Sequence, residues 1–198
     1  MMASEMYARE NQARWPEITE RLITEHPLNV AELRDTILKC WEDILSTSIA
    51  NKFRIGVDIK PKPQIMGFLL HELISLSFEQ KHPTIWRREA TATDKDMIYI
   101  PDDRFSIEIK TSSSDKNIYG NRSYAQEGSD HKKSKSGYYL AVNFEKFDNK
   151  GNSPRINLIR FGWLDHADWI GQAAATGQQA RLSPEIELTK LKSIFSMK

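Results

Sequence analysis

Apolar and polar positions follow two rhythms along this chain. In residues 29–49 the apolar side chains Val30, Leu33, Ile37, Cys40, Trp41, Ile44, Leu45 and Ile49 recur every three or four positions, the spacing of one helix face. Asn29 precedes the run and Glu32 stands three residues on, the order of a capping box. Residues 5–25 predict a more polar helix, restarted at Pro16 and closed by His26-Pro27. "KPKP" at 60–63 breaks regular structure, and a third helix is expected over 64–81. At about 100° per residue, its apolar face is Ile65, Phe68, Leu69, Leu73 and Leu76, and Glu72 falls inside that face.

The rhythm then shortens. Residues 84–90, 96–100 and 105–110 read as strands, the last two as a hairpin around "PDDR". Residues 111–136 are polar and predict a long loop with a short helix. "GYYLAVNF" and "RINLIRF" are strong strands. Asp165 caps an expected helix that dissolves near Gly177, and "SPEIELTKLKSIF" predicts a closing helix. Asp165-His166-x-Asp168 reads as a helix cap with acids in its first turn more simply than as a second metal site. The order of elements predicts an α/β fold, a mixed central sheet flanked by helices. The break at 60–63 separates a helical subdomain, 1–59, from a core, 60–198. The stripe from Val30 to Ile49 is then a candidate dimer or DNA clamp, or a cover for the sheet.

Composition narrows the picture. The chain has 198 residues, 39% of them hydrophobic, enough for one packed core. Its 28 basic and 27 acidic side chains leave a net charge of +1, so a polyanion would have to meet a local patch. A single cysteine, Cys40, fits a reducing cytoplasm. The first residues hold no apolar signal segment, no run is long enough to span a membrane, and no phosphate-binding glycine loop suggests a nucleotide cofactor. Trp41, Trp163 and Trp169 are expected in the core, and His26, His71, His82 and His131 carry no role.

The chemistry gathers at "DKDMIYIPDDRFSIEIK". An acid, any residue, then lysine occurs five times in the chain, so spacing alone means little. Only Glu108-Ile109-Lys110 ends a buried-looking strand whose hairpin partner begins with an acid. Two carboxylates converging at a strand end suit a hard divalent cation such as Mg²⁺, and a lysine two residues from one of them shares its face. Register poses a difficulty. A simple four-residue turn pairs Asp96 with Ile109, on the wrong face. The trio therefore requires an odd-length loop or a bulge near Asp96. Asp94 has the same parity but lies further out.

These residues carry a resemblance. Asp96…Glu108-Ile109-Lys110 resembles the Asp…[Asp/Glu]-x-Lys signature of the PD-(D/E)XK nucleases, with Lys95 where that signature nominally has proline. A helix with an inward acid followed by three strands is similar to that fold, with Glu72 in the place of its helix acid. "NRSYAQ", "GYYLAVNFEKF" and "LIRFGWLDHADWIGQAAATGQQARL" look like type II restriction endonucleases of the ScaI kind. The resemblance implies a restriction-endonuclease-like fold and Mg²⁺-dependent hydrolysis of double-stranded DNA at a short palindromic site by a homodimer. It implies Asp96, Glu108 and Glu72 as catalytic metal ligands and Lys110 as the catalytic lysine. A structure-specific or repair nuclease on the same fold, and a catalytically idle DNA-binding module, are the competing expectations.

DNA contacts are sought in the polar stretches. Residues 110–135 hold six Lys or Arg against three acids. Arg122 and Asn121 are expected to read bases, with Ser123 and Tyr124 beside them, and Lys132, Lys133 and Lys135 to meet phosphates. "GQAAATGQQARL" offers Gln172, Gln178, Gln179 and Arg181 on small-residue backbone.

Overall fold

The computed structural model describes residues 3–125, 133–148, 152–174 and 176–197. Three helices come first: α1 (Ala3–Arg9), α2 (Trp15–Glu25) and α3 (Val30–Ser46). A short hairpin, β1 (Ser48–Ile49) and β2 (Phe53–Arg54), leads to α4 (Pro63–Lys81). There follow β3 (Trp86–Arg88), β4 (Met97–Tyr99), β5 (Ile107–Ser112), β6 (Tyr119–Asn121), β7 (Gly137–Phe144) and β8 (Ile156–Leu164). The chain closes with β9 (Trp169–Gly171), β10 (Gln179–Leu182), α5 (Pro184–Thr189) and β11 (Leu191–Ser196). A six-stranded sheet runs β11-β8-β7-β5-β4-β3, with β5 and β7 parallel and its other neighbours antiparallel. A second sheet runs β6-β10-β9. The α/β fold with a mixed central sheet stands as expected.

The large sheet is covered on both faces, which is why β7 is buried at every position. On one face Ile107, Ile109, Tyr138, Leu140, Val142 and Phe161 pack with Leu22, Leu33, Ile37, Leu70 and Ile74 of the helices. Each such side chain contributes about 1.5–3 kcal/mol on burial. The stripe on α3 is used here, since Leu33, Ile37, Cys40, Trp41 and Ile44 are all buried. Its last member, Ile49, lies beyond the helix and is exposed. Asn29 caps α3 by accepting from the amides of Ala31 and Glu32. The Glu32 carboxylate instead reaches Lys81 and His82 of the α4 end. On the other face Glu108 and Lys110 of β5 are joined by Tyr139, Ala141, Leu164, Ile118, Tyr124, Trp169, Ala180 and Leu182, the last five from the small sheet and its turns.

His26 sits among Tyr138, Phe161 and Phe105, its ring centroid 4.3, 5.1 and 5.4 Å from theirs. Its Nδ1 accepts from Leu28 N at 3.1 Å, and its Nε2 lies 3.0 Å from the Phe105 carbonyl oxygen. Burial pushes its pKa down to about 4.

Several expectations give way. The α4 face toward the core is Met66, Gly67, Leu70, Ile74 and Phe78, while Ile65 and Phe68 are exposed. The helix is apolar nearly all round, so periodicity could not choose its rotation. Packing chose it, because a Cβ on Gly67 would stand 2.6 Å from Thr111 Oγ1 of β5. The polar stretch 111–136 contains β6. The helix expected after Asp165 is one 3₁₀ turn, His166–Asp168, held by a capping box and followed by β9. The closing helix stops at Thr189 and yields to β11.

Candidate active site

The β4–β5 register settles the parity problem. Met97 pairs with Ile107, so one step further out Asp96 stands opposite Glu108. An odd number of residues separates the pair, because a 3₁₀ turn at Asp103–Phe105 closes the hairpin. Asp94 is drawn away, onto Arg87 at 2.7 Å and the amides of Ala90 and Thr91.

Asp96 and Glu108 are both buried. Asp96 Oδ2 accepts from Ile109 N at 2.7 Å, and Ser75 Oγ donates to the Asp96 carbonyl at 3.0 Å. These bonds fix the acid to β5 and to α4. Lys110 Nζ donates to Glu108 Oε1 at 2.7 Å and to the Tyr124 hydroxyl oxygen at 2.8 Å. The Tyr124 hydroxyl in turn donates to Glu108 Oε1. Lys133 Nζ lies 2.5 Å from Asp96 Oδ1 and 2.7 Å from Glu108 Oε2, so one ammonium bridges the two carboxylates. Glu108 Oε2 is otherwise buried without a hydrogen-bond donor. Lys133 is the cation that meets it, at 2.7 Å.

The charges are mutually supporting. Burial opposes ionisation of Asp96, but His71, Lys110 and Lys133 outweigh it and hold the carboxyl well below the usual range. Burial likewise opposes ionisation of Glu108, and Lys110 and Lys133 overcome both that and the Asp96 charge, leaving its pKa lowered. Burial alone would lower Lys133, yet the two acids raise it. Burial and the Glu108 charge push the Tyr124 hydroxyl up, so it stays a neutral donor. At neutral pH the site therefore sets the Asp96 and Glu108 carboxylates and the Tyr124 phenol around the Lys133 ammonium.

Glu72 stays at the edge of this cluster. Its carboxylate meets His71 Nδ1 at 3.3 Å, and His71 Nε2 lies 3.3 Å from Asp96 Oδ2. The Glu72 side chain is 42% exposed, because the helix rotation turns positions 65, 68 and 72 outward. Among the described residues no group of three or more acids, histidines or cysteines converges to cage an ion. A cation here would rest on Asp96 and Glu108, leaving positions for water and phosphate oxygen, which suits Mg²⁺. An ammonium already seated between the two acids, on Asp96 Oδ1 and Glu108 Oε2, fits that donor set.

Two residues expected on DNA lie in this cluster instead. Tyr124 is buried, and Lys133 bridges the acids. Lys135 stays near, its ammonium 4.3 Å from the Tyr124 ring centroid, and Lys110 stands 4.5 Å from the same ring. Arg122 is half-buried, its Nη1 donating to the carbonyls of Ala174 at 3.2 Å and Gly177 at 3.4 Å. Gln172 Oε1 accepts from Gln179 N at 3.3 Å. Asn121, Ser123, Gln178, Gln179 and Arg181 are exposed. Lys132 lies outside the described residues. Sequence reasoning missed His71, whose place one residue before Glu72 gave no periodic signal. It also passed over Lys95, which is buried with its Nζ donating to the Ser134 carbonyl at 3.1 Å. Burial lowers its pKa to about 8.

A mixed sheet that sets an acid opposite Glu-x-Lys is the arrangement that the resemblance to the PD-(D/E)XK nucleases implies. The comparisons with known proteins carry this further. The family model described as ScaI restriction endonuclease matches residues 6–195. The type II restriction enzyme ScaI of Streptomyces caespitosus is 47% identical over 184 residues, covering 92% of this chain and 81% of that protein. The chain belongs to the ScaI restriction endonuclease family, and with it to the type II restriction endonucleases, hydrolases that cleave DNA. No helix among the described residues is long and apolar enough to cross a membrane.

Proposed function

We propose that the protein hydrolyses double-stranded DNA with Mg²⁺ at a short palindromic site, using Asp96, Glu108 and Lys110. The observation that carries this is the pair of buried carboxylates bridged by one cation, with Lys110 bonded to Glu108 beside them. Asp96 and Glu108 would hold the metal. When bound, Mg²⁺ polarises the scissile phosphate and lowers the pKa of a coordinated water. Lys110 neutralises charge that develops on the phosphate. Tyr124 fixes the Lys110 ammonium on the Glu108 side. Lys133 balances the carboxylates so that a polyanion is not repelled. His71 links Asp96 to Glu72, which acts from the rim.

One such centre per chain cuts one strand, so double-strand cleavage at a palindrome calls for two copies about a two-fold axis. The α3 stripe is consumed in the core. Exposed Ile65 and Phe68 on α4 supply an apolar surface on the helix that also carries His71 and Glu72. The one cysteine, Cys40, is buried and unpaired, which suits work in the cytoplasm. The test is a plasmid digest with Mg²⁺ or with excess EDTA, beside light scattering of the protein alone and on DNA. Discrete fragments only with metal, from a dimer, are expected. An intact plasmid with Mg²⁺ would defeat the nuclease reading, and a monomer in both states would defeat the dimer.

A further inference from the structure

The small sheet β6-β10-β9 covers the face of the large sheet that bears Glu108 and Lys110, and its own outer face is open. Side chains alternate along it. On β10, Ala180 and Leu182 are buried and Gln179 and Arg181 are exposed. On β6, Gly120 is buried and Tyr119 and Asn121 are exposed. On β9, Trp169 is buried and Ile170 is exposed. The register sorts the exposed side chains into two rows. Asn121 faces Gln179, and Arg181 stands between Tyr119 and Ile170. None of these five has an acidic side chain, and among the described residues no hydrogen bond or ion pair engages the side-chain polar groups of Asn121, Gln179 or Arg181.

We propose that this face reads base edges in the major groove of the DNA to be cut, with Asn121 and Gln179 on one base pair and Arg181 on another. The inference rests on the nuclease reading above and names the specificity element of that same site. Chemistry matches side chain to base. A carboxamide donates to and accepts from the N6 and N7 edge of adenine, a guanidinium donates twice to the O6 and N7 edge of guanine, and an apolar side chain meets the thymine methyl. Ile170 beside Arg181 supplies the last. Two residues along β10 separate the rows by about 7 Å, more than one base-pair step, so the rows address different base pairs. The major groove admits a two-stranded β-ribbon, and β6 and β10, the antiparallel pair that carries Asn121, Gln179 and Arg181, supply that ribbon.

Continuity with the catalytic cluster supports the assignment. Three residues after Asn121, Tyr124 reaches Glu108 and Lys110. The strand that reads and the wall of the centre that cuts are thus one short segment. Arg122 lies between them and clasps the Ala174 and Gly177 carbonyls. That clasp holds the approach to β10 against β6 and leaves Gln179 and Arg181 outward.

The experiment starts from a plasmid cut by the wild-type enzyme with Mg²⁺, the ends sequenced to give the cleaved site. Oligonucleotide duplexes with that site, with each single base-pair replacement, and with 7-deazaadenine or 7-deazaguanine at each purine are then cut under single-turnover conditions. The enzymes are wild type, Asn121→Ala, Gln179→Ala and Arg181→Ala. Removing one bidentate contact should lower the preference for the true base pair by about 5- to 150-fold at one position. A 7-deazapurine at that position should slow the wild type and not the matching variant. Variants that keep the full preference everywhere, or a wild type indifferent to every 7-deazapurine, would overturn the reading of this face while leaving the nuclease intact. A wild type that cuts nothing would overturn both. The 7-deaza substrates need no variant, so the proposal stays exposed even if one substitution fails to fold.

Discussion

Two polar regions of this molecule lie a few residues apart and are built oppositely. Between the sheets, Asp96, Glu108, Lys110, Lys133 and Tyr124 are buried or nearly so, and each is held by another. On the outer face of the small sheet, Asn121, Gln179 and Arg181 are exposed, and none engages another. The first arrangement fixes charges for chemistry, where reorganisation costs rate. The second leaves donors and acceptors for a partner to satisfy. Burial against exposure, more than residue type, tells the two regions apart: Tyr124 and Lys133 look like DNA contacts by composition and are placed against Glu108, Lys110 and Asp96.

The largest test of this contrast removes one member of each region. Glu108→Ala would leave the Lys110 and Lys133 ammoniums buried beside one carboxylate. It should cost about 3–5 kcal/mol of stability in urea unfolding. Arg181→Ala on the open face should change stability by less than about 0.5 kcal/mol. Equal losses would erase the distinction.

Acid probes the closed helix side of the same sheet without touching the acids of the site. His26 has a folded pKa of about 4 against an ordinary 6.5. The group is neutral in its cage, so its contribution is fully present above pH 6.5 and is lost as pH falls from 6.5 to 4. The loss should reach about 3 kcal/mol. His26→Phe should flatten stability in that window, read from unfolding at a series of pH values. An unchanged slope would place the acid sensitivity elsewhere.

Tyr124→Phe keeps the ring and deletes the hydroxyl between Lys110 and Glu108. Cleavage should slow about tenfold, the worth of roughly one hydrogen bond at the reacting centre, with DNA affinity moving far less in a gel shift. A variant that loses affinity and keeps its rate would return Tyr124 to the DNA surface. Smallest is Arg122→Ala, which should loosen the 174–177 clasp by about 1 kcal/mol, seen as faster amide exchange at Gly177 and Gln178. Unchanged exchange there would deny the clasp.

The centre of the large sheet was legible because β7 and β8 are long apolar runs, and α3 because it is periodic. The meeting of Asp96 with Glu108 and Lys110 was legible too, since Glu108-Ile109-Lys110 ends a buried strand and the hairpin parity that brings Asp96 opposite Glu108 follows from an odd-length turn. The rest was not, for physical reasons. The face of α4 could not be read from a helix apolar on every side, and Gly67 against Thr111 decided it. β6 and β9 have three residues each, too short for an alternation to declare itself within polar sequence. The closing helix resembled its pattern only until Thr189, where pairing with β8 captured Leu191–Ser196 as a strand. His71, Tyr124 and Lys133 join the cluster through tertiary contacts that no local spacing announces.

The most direct measurement is a plasmid digest with Mg²⁺ by wild type and Lys110→Ala, beside a gel shift of both proteins on the same DNA. The proposal puts Lys110 at the reacting centre, and protein–DNA affinity in general comes largely from phosphate contacts. The variant should bind nearly as the wild type does and cut at least on the order of 10²–10³ times more slowly. A Lys110→Ala protein that cuts at the wild-type rate would contradict the assignment and leave Glu108 and Lys110 as a salt bridge at the end of a strand.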